Sequence, residues 1–534
     1  MNTIATAVPR KWVGTDIWSP RAVAMIMGAY FVLHAVTRLL MGPVLGIDDA
    51  EQTLFAQHLN WGYRFAQPPL FTWIYVGLGN AIGFGIVAAT IMRYALLGLT
   101  AFFLYSTARR LIPDRRLAAL ALFSFGLIYV FAVYSHHDLT HTTTLAATIA
   151  ATLYVVCRLT ESPRWRWYAA LGICVGLGVL AKWNYVMLPA ALFLAAVARR
   201  ETRELVLTPK LAAVLLPAAA ILAGPLVWVF SHIDSFASVQ SSVLSEGGAP
   251  PTFLQTLASG TADFLVALAA FPQPLLVIFA AVFLPGLWFL RHGRRDASPR
   301  PASHPRGAWD RRHRLLLSTI VAGIILHWAL VPVLGAVSFN ERWMHPVLMP
   351  APLLAFAALA CRPPTDRAVR IFIAILVGVT ALAWTGLVVR HLLGADACGS
   401  CRTLTPIPEL AEQIADETAF DNGTIVTSGF HLGGNLRVAF PGARVIETGY
   451  PDAVWPPSTG ADGQCLAVWT VSPGSDASAP RVPEAIMNRL GVSLGISAAQ
   501  SPQHHGTVET LMHGSETRRY ALGYALFDNE EATC

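Results

Sequence analysis

The sequence predicts a polytopic α-helical membrane protein, with about eleven transmembrane helices followed by a small C-terminal α/β domain. Of the 534 residues, 54% are hydrophobic and only 13% are charged, whereas soluble domains carry about 25% charged residues. Apolar stretches of about 20 residues, long enough to cross a bilayer as a helix, recur before residue 392. Beyond that point short strand-like and helix-like patterns alternate, which is typical of a small α/β domain.

The predicted membrane helices follow these apolar stretches. One block, Tyr168–Val197, is interrupted by Lys182, Trp183 and Asn184, and it predicts two short helices that meet at one membrane face. The uninterrupted stretches are Ala22–Met41, Ile91–Arg109, Leu117–Tyr134, Thr140–Val156, Ala212–Phe230, Leu275–Leu290, Leu315–Val337, Pro346–Ala360 and Val369–Val389.

The basic residues predict the orientation. Arginines cluster in the turns between apolar stretches, as in the segment 291–314, and such turns are cytoplasmic under the positive-inside rule. All of these turns lie on one side only if Pro69–Ile86 does not span but returns to, or lies along, the outer face. Residues 1–19 then form a cytoplasmic leader. This placement explains the formal charge of +6 without nucleic acid as a partner.

The orientation divides the chain into a transmembrane domain, residues 1–392, and an exported α/β domain, residues 393–534. At the outer face it places residues 42–89, which carry acids and interfacial helices, and residues 231–274, which contain a Ser-, Gly- and Pro-rich mobile loop. The chain contains neither GxGxxG nor GxxxxGK[ST], so no nucleotide site is predicted. Disulfides are plausible in an exported domain among the tail cysteines, which are Cys398, Cys401, Cys465 and Cys534.

Acidic residues at the outer face are the first candidates for chemistry. Asp48 and Asp49 follow the first span, and Asp138 follows the third. One interpretation is structural, because Asp caps helices and suits their positive ends. The other makes Asp48 or Asp49 a general base for an acceptor hydroxyl, with Asp138 as a second carboxylate facing them. Glu51 is expected to be a first-turn acid without a further role.

Cations at the same face are candidate phosphate ligands. Lys182 interrupts an apolar block, so it either snorkels to the interface or binds phosphate as a point charge. Arg342 is either neutralised by Glu341 or clamps a phosphate, and Arg64 is a third cation of this kind. Glu341 is also a candidate substrate contact. Tyr63 is either an interfacial aromatic residue or a platform for a sugar ring.

Histidines beside Asp138 leave a metal site open. His137 and His141 are four residues apart, which places them on one face of a helix. His137 is a candidate substrate contact. Asp48, Asp138 and His141 are possible metal ligands, although a histidine pair without a carboxylate clearly in register is weak evidence for a metal. A divalent cation is therefore possible rather than required.

In the order of these motifs, the first 360 or so residues resemble the C-type superfamily of membrane glycosyltransferases. The nearest groups are the lipid A aminoarabinose transferases, the lipopolysaccharide galacturonic acid transferases and the protein O-mannosyltransferases. Such families commonly have Asp-Glu where this chain has Asp48-Asp49, and alignment favours Asp48 as the base. The matching motifs are Asp48–Glu51, Gly62-Tyr63, Gln67–Trp73, His136–Asp138, Gly176–Lys182, and Arg342-Trp343 followed by Pro346.

The resemblance implies a C-type glycosyltransferase fold and an inverting transfer of a hexose or pentose from a polyprenyl-phosphate donor. The acceptor would be a cell-envelope glycolipid such as lipid A or lipopolysaccharide core. The enzyme would be a monomer in the bacterial inner membrane, with a periplasmic active site, membrane lipid around it and no required cofactor. Two alternatives stay open: a protein O-mannosyltransferase-like enzyme, and a transporter or flippase for a lipid-linked anion.

Overall fold

The computed structural model describes residues 16–64, 67–232, 252–292, 309–398, 401–450, 454–457, 464–474, 481–496 and 500–528, the side chains of 286–292 and 528 excepted. Helices make up the part before residue 393, and a five-stranded sheet with flanking helices makes up the rest. The prediction of a helical membrane protein with a small C-terminal α/β domain is confirmed.

Long apolar helices form the membrane domain. Of the helices in the described ranges, seven are long and apolar enough to cross a membrane, or eight if the bent pair Glu341–Leu348 and Pro350–Cys361 is one span; the figure of eleven stays a prediction. The helices are α1 (Pro20–Leu40), α2 (Ile47–Phe55), α3 (Leu70–Ile82), α4 (Ile86–Leu111), α5 (Arg115–Phe123), α6 (His141–Glu161), α7 (Trp165–Ala181), α8 (Met187–Ala198), α9 (Ala212–Ser231), α10 (Phe253–Ala270), α11 (Leu275–His292), α12 (Arg311–Leu334), α13 (Pro350–Cys361) and α14 (Asp366–Leu392).

The bounds and lengths of the helices agree with two expectations about local structure. The block Tyr168–Val197 divides at Lys182 into α7 and α8, with a 3₁₀ turn, Trp183–Val186, between them. Helix α3 has 13 residues, which is about 20 Å of helix and too short for a hydrocarbon core of about 30 Å. The expectation that Pro69–Ile86 does not span therefore agrees with its length.

Two expectations need correction. The stretch Leu117–Tyr134 is not one helix: α5 ends at Phe123, and a 3₁₀ turn and a π turn follow it. The predicted loop 231–274 contains α10, because Thr252 and Gln255 form a capping box that starts a helix. Residues 233–251 of that loop lie outside the described residues.

The C-terminal domain contains one mixed sheet. Its strands are β1 (Thr424–Thr427), β2 (Arg444–Glu447), β3 (Gln464–Val471), β4 (His504–Leu511) and β5 (Arg519–Asp528), and its helices are α15 (Ile407–Thr418), α16 (Phe430–Ala439) and α17 (Glu484–Leu494). The order is β2-β1-β3-β5-β4; β1 runs parallel to β2 and β3, and β5 is antiparallel to β3 and β4.

The tail agrees with its predicted pattern except at the sheet edge. Strand β4 was not predicted, because as an edge strand it is polar and only two of its eight residues are buried. Cys398 and Cys401 form a disulfide, and Cys465 is also disulfide-bonded. These bonds fit the expectation of an exported domain.

Candidate active site

The candidate active site begins where α1 ends and the chain turns back into α2. Arg38, in the last turn of α1, donates hydrogen bonds to the carbonyl oxygens of Gly42 (3.2 Å) and Val44 (2.7 Å). The buried guanidinium thereby holds the connection in a tight turn. Gly46 is the N-cap of α2, so Asp48 and Asp49 both lie in the first turn of that helix.

Asp48 and Asp138 are held against each other by backbone hydrogen bonds. The Asp48 N–H donates to Asp138 Oδ1 (3.1 Å), and the Thr140 N–H donates to Asp48 Oδ2 (3.4 Å). The Asp138 carboxylate thus lies at the start of α2, the helix that carries Asp48. The Asp48 carboxylate lies at the start of α6, the helix that follows Asp138. Helix N-termini stabilise negative charge, which allows two partly buried acids to lie side by side.

The pKa values of this pair depart from those of exposed acids. Burial, and after it the charge of Asp138, raises the pKa of Asp48 to about 7. Burial likewise raises the pKa of Asp138. A carboxylate whose pKa lies near the working pH is well matched to proton transfer. The structure therefore places at Asp48 a group suited to accept a proton.

Asp49 differs from its neighbour because it has a cationic partner. Both of its carboxylate oxygens lie 2.7 Å from Arg93 Nη2, and both residues are buried. Arg93 Nη1 also donates to the Ser135 carbonyl oxygen (3.3 Å), so this one side chain joins α4, α2 and the turn before Asp138. Asp48, in contrast, has no ion pair within the described ranges.

Arg93 was not singled out from the sequence, although a signal was present. It lies inside the apolar stretch that became α4. A single arginine in such a stretch is costly unless it is paired, and an acid pair 44 residues earlier was available. The catalytic prediction for Asp49 stays a prediction, but its geometry is that of a structural ion pair.

Two of the predicted cations remain without an acidic partner. Lys182 Nζ donates to Thr142 Oγ1 (3.1 Å), and Arg342 Nε donates to Asn340 Oδ1 (3.1 Å). Neither makes an ion pair with any described residue, Glu341 included. Electrostatic interactions link Lys182 with Asp48 and Arg342, and Arg342 with Asp138. Lys182 therefore lies within electrostatic range of Asp48, and Arg342 within electrostatic range of Asp138.

The third predicted cation is already paired. Arg64 Nη1 lies 2.7 Å from Glu51 Oε1, and the Arg64 guanidinium stacks over Phe430 of the C-terminal domain. Glu51 is buried, so the expectation that it has no role beyond the first turn is corrected: it neutralises Arg64. Binding of phosphate by Arg64 stays a prediction.

The predicted aromatic and histidine contacts have different surroundings. The Tyr63 ring packs on Phe55, and its hydroxyl donates to the His58 carbonyl oxygen (2.8 Å), so it stabilises its own loop. His137 packs on Tyr134. His141 is buried against Phe71 without a hydrogen bond to either ring nitrogen. Their substrate contacts stay predictions.

A metal centre is not assembled in the described part of the chain. No three His, Cys, Asp or Glu side chains there are grouped to hold an ion. Asp48 and Asp138 are adjacent, but the buried His141 faces Lys182 and Phe71. The suggested ligand set is therefore not seen as a group, and a divalent cation remains an untested possibility.

A cavity of about 470 Å³ opens beside Asp138 at the C-terminal end of α1. Basic and imidazole side chains line it, namely Arg38, Arg390, Arg402, His34, His137 and His391. His34 and His136, whose rings stack on each other, both line it. His136 also borders a second cavity of about 310 Å³, which has an apolar lining between α1, α4, α5 and α14. The two cavities therefore share His136 in their walls.

Comparisons with known proteins agree with this arrangement. Residues 66–228 match the family model described as dolichyl-phosphate-mannose-protein mannosyltransferase. The chain is 28% identical to the lipopolysaccharide core galacturonosyltransferase RgtA of Rhizobium johnstonii, over 95% of this chain and 97% of that protein. It is 27% identical to RgtB of the same organism, over 94% and 96%.

A solved structure shares the fold. The crystal structure of ArnT from Cupriavidus metallidurans bound to undecaprenyl phosphate superposes with a TM-score of 0.56, at 14% identity, over 95% of this chain and 98% of that one. At this identity the likeness concerns the fold alone. It agrees with the helical membrane domain and the C-terminal domain described above.

The Asp49–Arg93 pair gives a stability prediction. Arg93→Gln and Asp49→Asn should each lower the thermal unfolding midpoint in detergent, because removing one member of a buried pair costs about 3–5 kcal/mol. The double variant should be less destabilised than the sum of the two single variants, since no unpaired charge remains. Arg109→Gln, at the other end of α4, is the matched control. Additive losses in the double variant would show that the two side chains do not interact.

Proposed function

Because the chain belongs to the C-type superfamily of membrane glycosyltransferases, we propose that it moves a sugar from a polyprenyl-phosphate donor to a lipopolysaccharide core or lipid A acceptor. The sugar we propose is galacturonic acid, as in the names of RgtA and RgtB. The observation that carries the proposal is the grouping of Asp48 and Asp138 with Lys182 and Arg342, two cations without acidic partners in the described chain.

The donor phosphate is assigned to the cations. Lys182 and Arg342 supply positive charge near the acids. A lysine binds phosphate as a point charge, and an arginine binds it through two N–H groups of its planar guanidinium. The undecaprenyl phosphate named for the ArnT structure supports a lipid phosphate as donor. The described chain also carries no nucleotide fingerprint. Charge on the leaving phosphate would thus be neutralised as it develops.

The acceptor is assigned to the polar cavity. Asp138 lines this cavity together with Gly46 and Ile47, and the backbone N–H of the next residue, Asp48, donates to Asp138 Oδ1. An acceptor hydroxyl there would attack the anomeric carbon as the bond from that carbon to the phosphate oxygen breaks, and Asp48 would take the hydroxyl proton. Attack from the side opposite the leaving phosphate inverts the anomeric centre. The cavity's basic lining suits an acidic glycolipid acceptor, and this site would lie at the periplasmic face of the inner membrane.

A second candidate acceptor is a protein. The family model matching residues 66–228 describes protein mannosyltransferases. This match covers part of the membrane domain, whereas the galacturonosyltransferase relatives align along nearly the whole chain. Because that alignment covers nearly the whole chain, it favours a glycolipid acceptor over a protein acceptor.

The activity test uses purified enzyme in nanodiscs with polyprenyl-phosphate galacturonic acid as donor. We expect mass spectrometry to find one added hexuronic acid residue on lipopolysaccharide core, and none on a Ser/Thr-rich peptide. Transfer to the peptide alone would favour the second candidate. Transfer to neither acceptor with this donor would contradict the proposed reaction.

The role of Asp48 gives a rate prediction. Asp48→Asn should slow transfer by about 100-fold or more, because a positioned general base contributes about 10²–10⁴. Its unfolding midpoint should stay near that of the wild type, since the exchange leaves no cation unpaired. Asp114→Asn, at the N-terminus of α5, is the control and should leave the rate unchanged. An Asp48→Asn enzyme at wild-type rate would exclude Asp48 as the base.

The raised pKa of Asp48 gives a pH prediction. A base must be deprotonated, so the rate should rise with pH and level off above the pKa of about 7. Asp138→Asn removes a like charge that raises this pKa, so the midpoint of the remaining activity should move to lower pH. The measurement is the single-turnover rate from pH 5 to pH 9. A midpoint unchanged by Asp138→Asn would show that the two acids do not interact.

A further inference from the structure

Helix α2, which carries Asp48, has only nine residues. Isolated helices shorter than about 12–15 residues are marginal in water, so its position must be fixed by what packs on it. Most of the helix is buried, from Asp49 to Phe55. Much of the surface that buries it belongs to the C-terminal domain, nearly 400 residues further along the chain.

The middle of α2 lies directly on α16 of that domain. A Cβ atom at Gly434 would be 2.1 Å from the carbonyl oxygen of Ala50, so only glycine allows the two backbones to come this close. The adjacent Gly433 faces Leu54, where a Cβ atom would be 3.2 Å from the flexible Leu54 Cδ2. The two helices therefore meet at this glycine pair. Gly434 contacts the backbone of Ala50, and Gly433 contacts the side chain of Leu54.

The N-terminal end of α2 is tied to the same helix. Leu45 N–H, one residue before the N-cap, donates to Asn435 Oδ1 (2.9 Å). The Leu45 carbonyl oxygen lies 3.1 Å from His431 Nε2. Asn435 Nδ2 in turn donates to the His431 carbonyl oxygen (2.7 Å). Both polar groups of the Leu45 backbone are thus held by α16.

The C-terminal end of α2 is tied to strand β2. Gln57 Nε2 donates to the Val445 carbonyl oxygen, and Val445 N–H donates to Gln57 Oε1, both at 2.8 Å. This amide pairs with the strand as a neighbouring strand would. Beside it, Phe55 packs among the rings of Phe430, Tyr450 and Trp455.

We propose that the C-terminal domain is a positioning element of the active site, which holds α2 at both ends and in the middle so that Asp48 stays against Asp138. This inference rests on the proposed function for the role of Asp48. Asn435, Gly434 and Gln57 act through α2 and are positioning residues. Lys182 and Arg342 lie on other elements of the membrane domain, so donor binding should depend less on this contact than proton transfer does.

Three variants of the full-length protein test the contact. Gly434→Ala forces the helices apart, Asn435→Ala releases the first end of α2, and Gln57→Met releases the other with little change in volume. Gly491→Ala is the matched control, because a Cβ there meets only an ordinary contact at 3.5 Å on the exposed side of α17.

We expect each of the three variants to lower kcat by about tenfold or more, because small displacements of a catalytic group cost up to about 100-fold. The KM for the donor should change little. The midpoint of the pH–rate profile should move to lower pH as Asp138 and Asp48 separate. Gly491→Ala should match the wild type in all three quantities.

Hydrogen–deuterium exchange provides a readout that does not depend on the substrate. In the Gly434→Ala variant, amides 46–55 should exchange faster, while those of the sheet around β3 keep their protection. Faster exchange in an enzyme that transfers no galacturonic acid would overturn the proposed reaction but leave the positioning role. Unchanged exchange of amides 46–55 together with an unchanged kcat in Gly434→Ala would overturn the positioning role. A variant that loses both its activity and the protection of the sheet amides would also overturn it.

Discussion

The structure depends on holding two partly buried carboxylates, Asp48 and Asp138, side by side although neither has an ion-pair partner among the described residues. Asp48 and Asp138 each lie at a helix start and each meet a backbone N–H of the other's segment. Helix dipoles and amide donors can stabilise charge there, yet burial and mutual repulsion still raise the pKa of Asp48. A salt bridge at this position would remove that effect and with it the ability to take up a proton near neutral pH.

The neighbouring acids, Asp49 and Glu51, differ from Asp48 because each of them forms an ion pair. Asp49 is bound by Arg93 and Glu51 by Arg64, so both are neutralised in place. These pairs fix α2 from two sides, Arg93 from within the membrane domain and Arg64 from the loop that contacts Phe430. Lys182 and Arg342, which have no ion pair among the described residues, lie within electrostatic range of Asp48 and Asp138. In the proposed reaction, this separation of paired and unpaired charges would supply both a base and a phosphate-binding side.

Much of this could be predicted from the sequence where polarity interrupts an apolar pattern. The break at Lys182 divides two helices because a charged residue in an apolar block belongs at a membrane face. The approach of Asp138 to Asp48 followed from placing all basic turns on one side. Helix α10 could not be told from a loop by composition, because its start adjoins a Ser- and Gly-rich stretch and only the capping signal of Thr252 and Gln255 marks it.

Other features could not be predicted because they depend on partners far away in the chain. The pairing of Arg93 with Asp49 needs the packing of α4 on α2, and the apolar pattern of α4 alone does not show it. Whether Tyr63 offers its ring to a sugar or packs on Phe55 depends on how the loop closes. The contact of Gly434 with Ala50 joins two domains, and nothing in either local pattern points to the other.

The most direct test of the account is a structure of this enzyme with a polyprenyl phosphate bound. The account predicts phosphate oxygens within hydrogen-bonding distance of Lys182 Nζ and the Arg342 guanidinium. It also predicts that the Asp48 carboxylate faces the polar cavity on the other side of the sugar position. A phosphate bound away from both cations, or one that occupies the cavity beside Asp138, would contradict it.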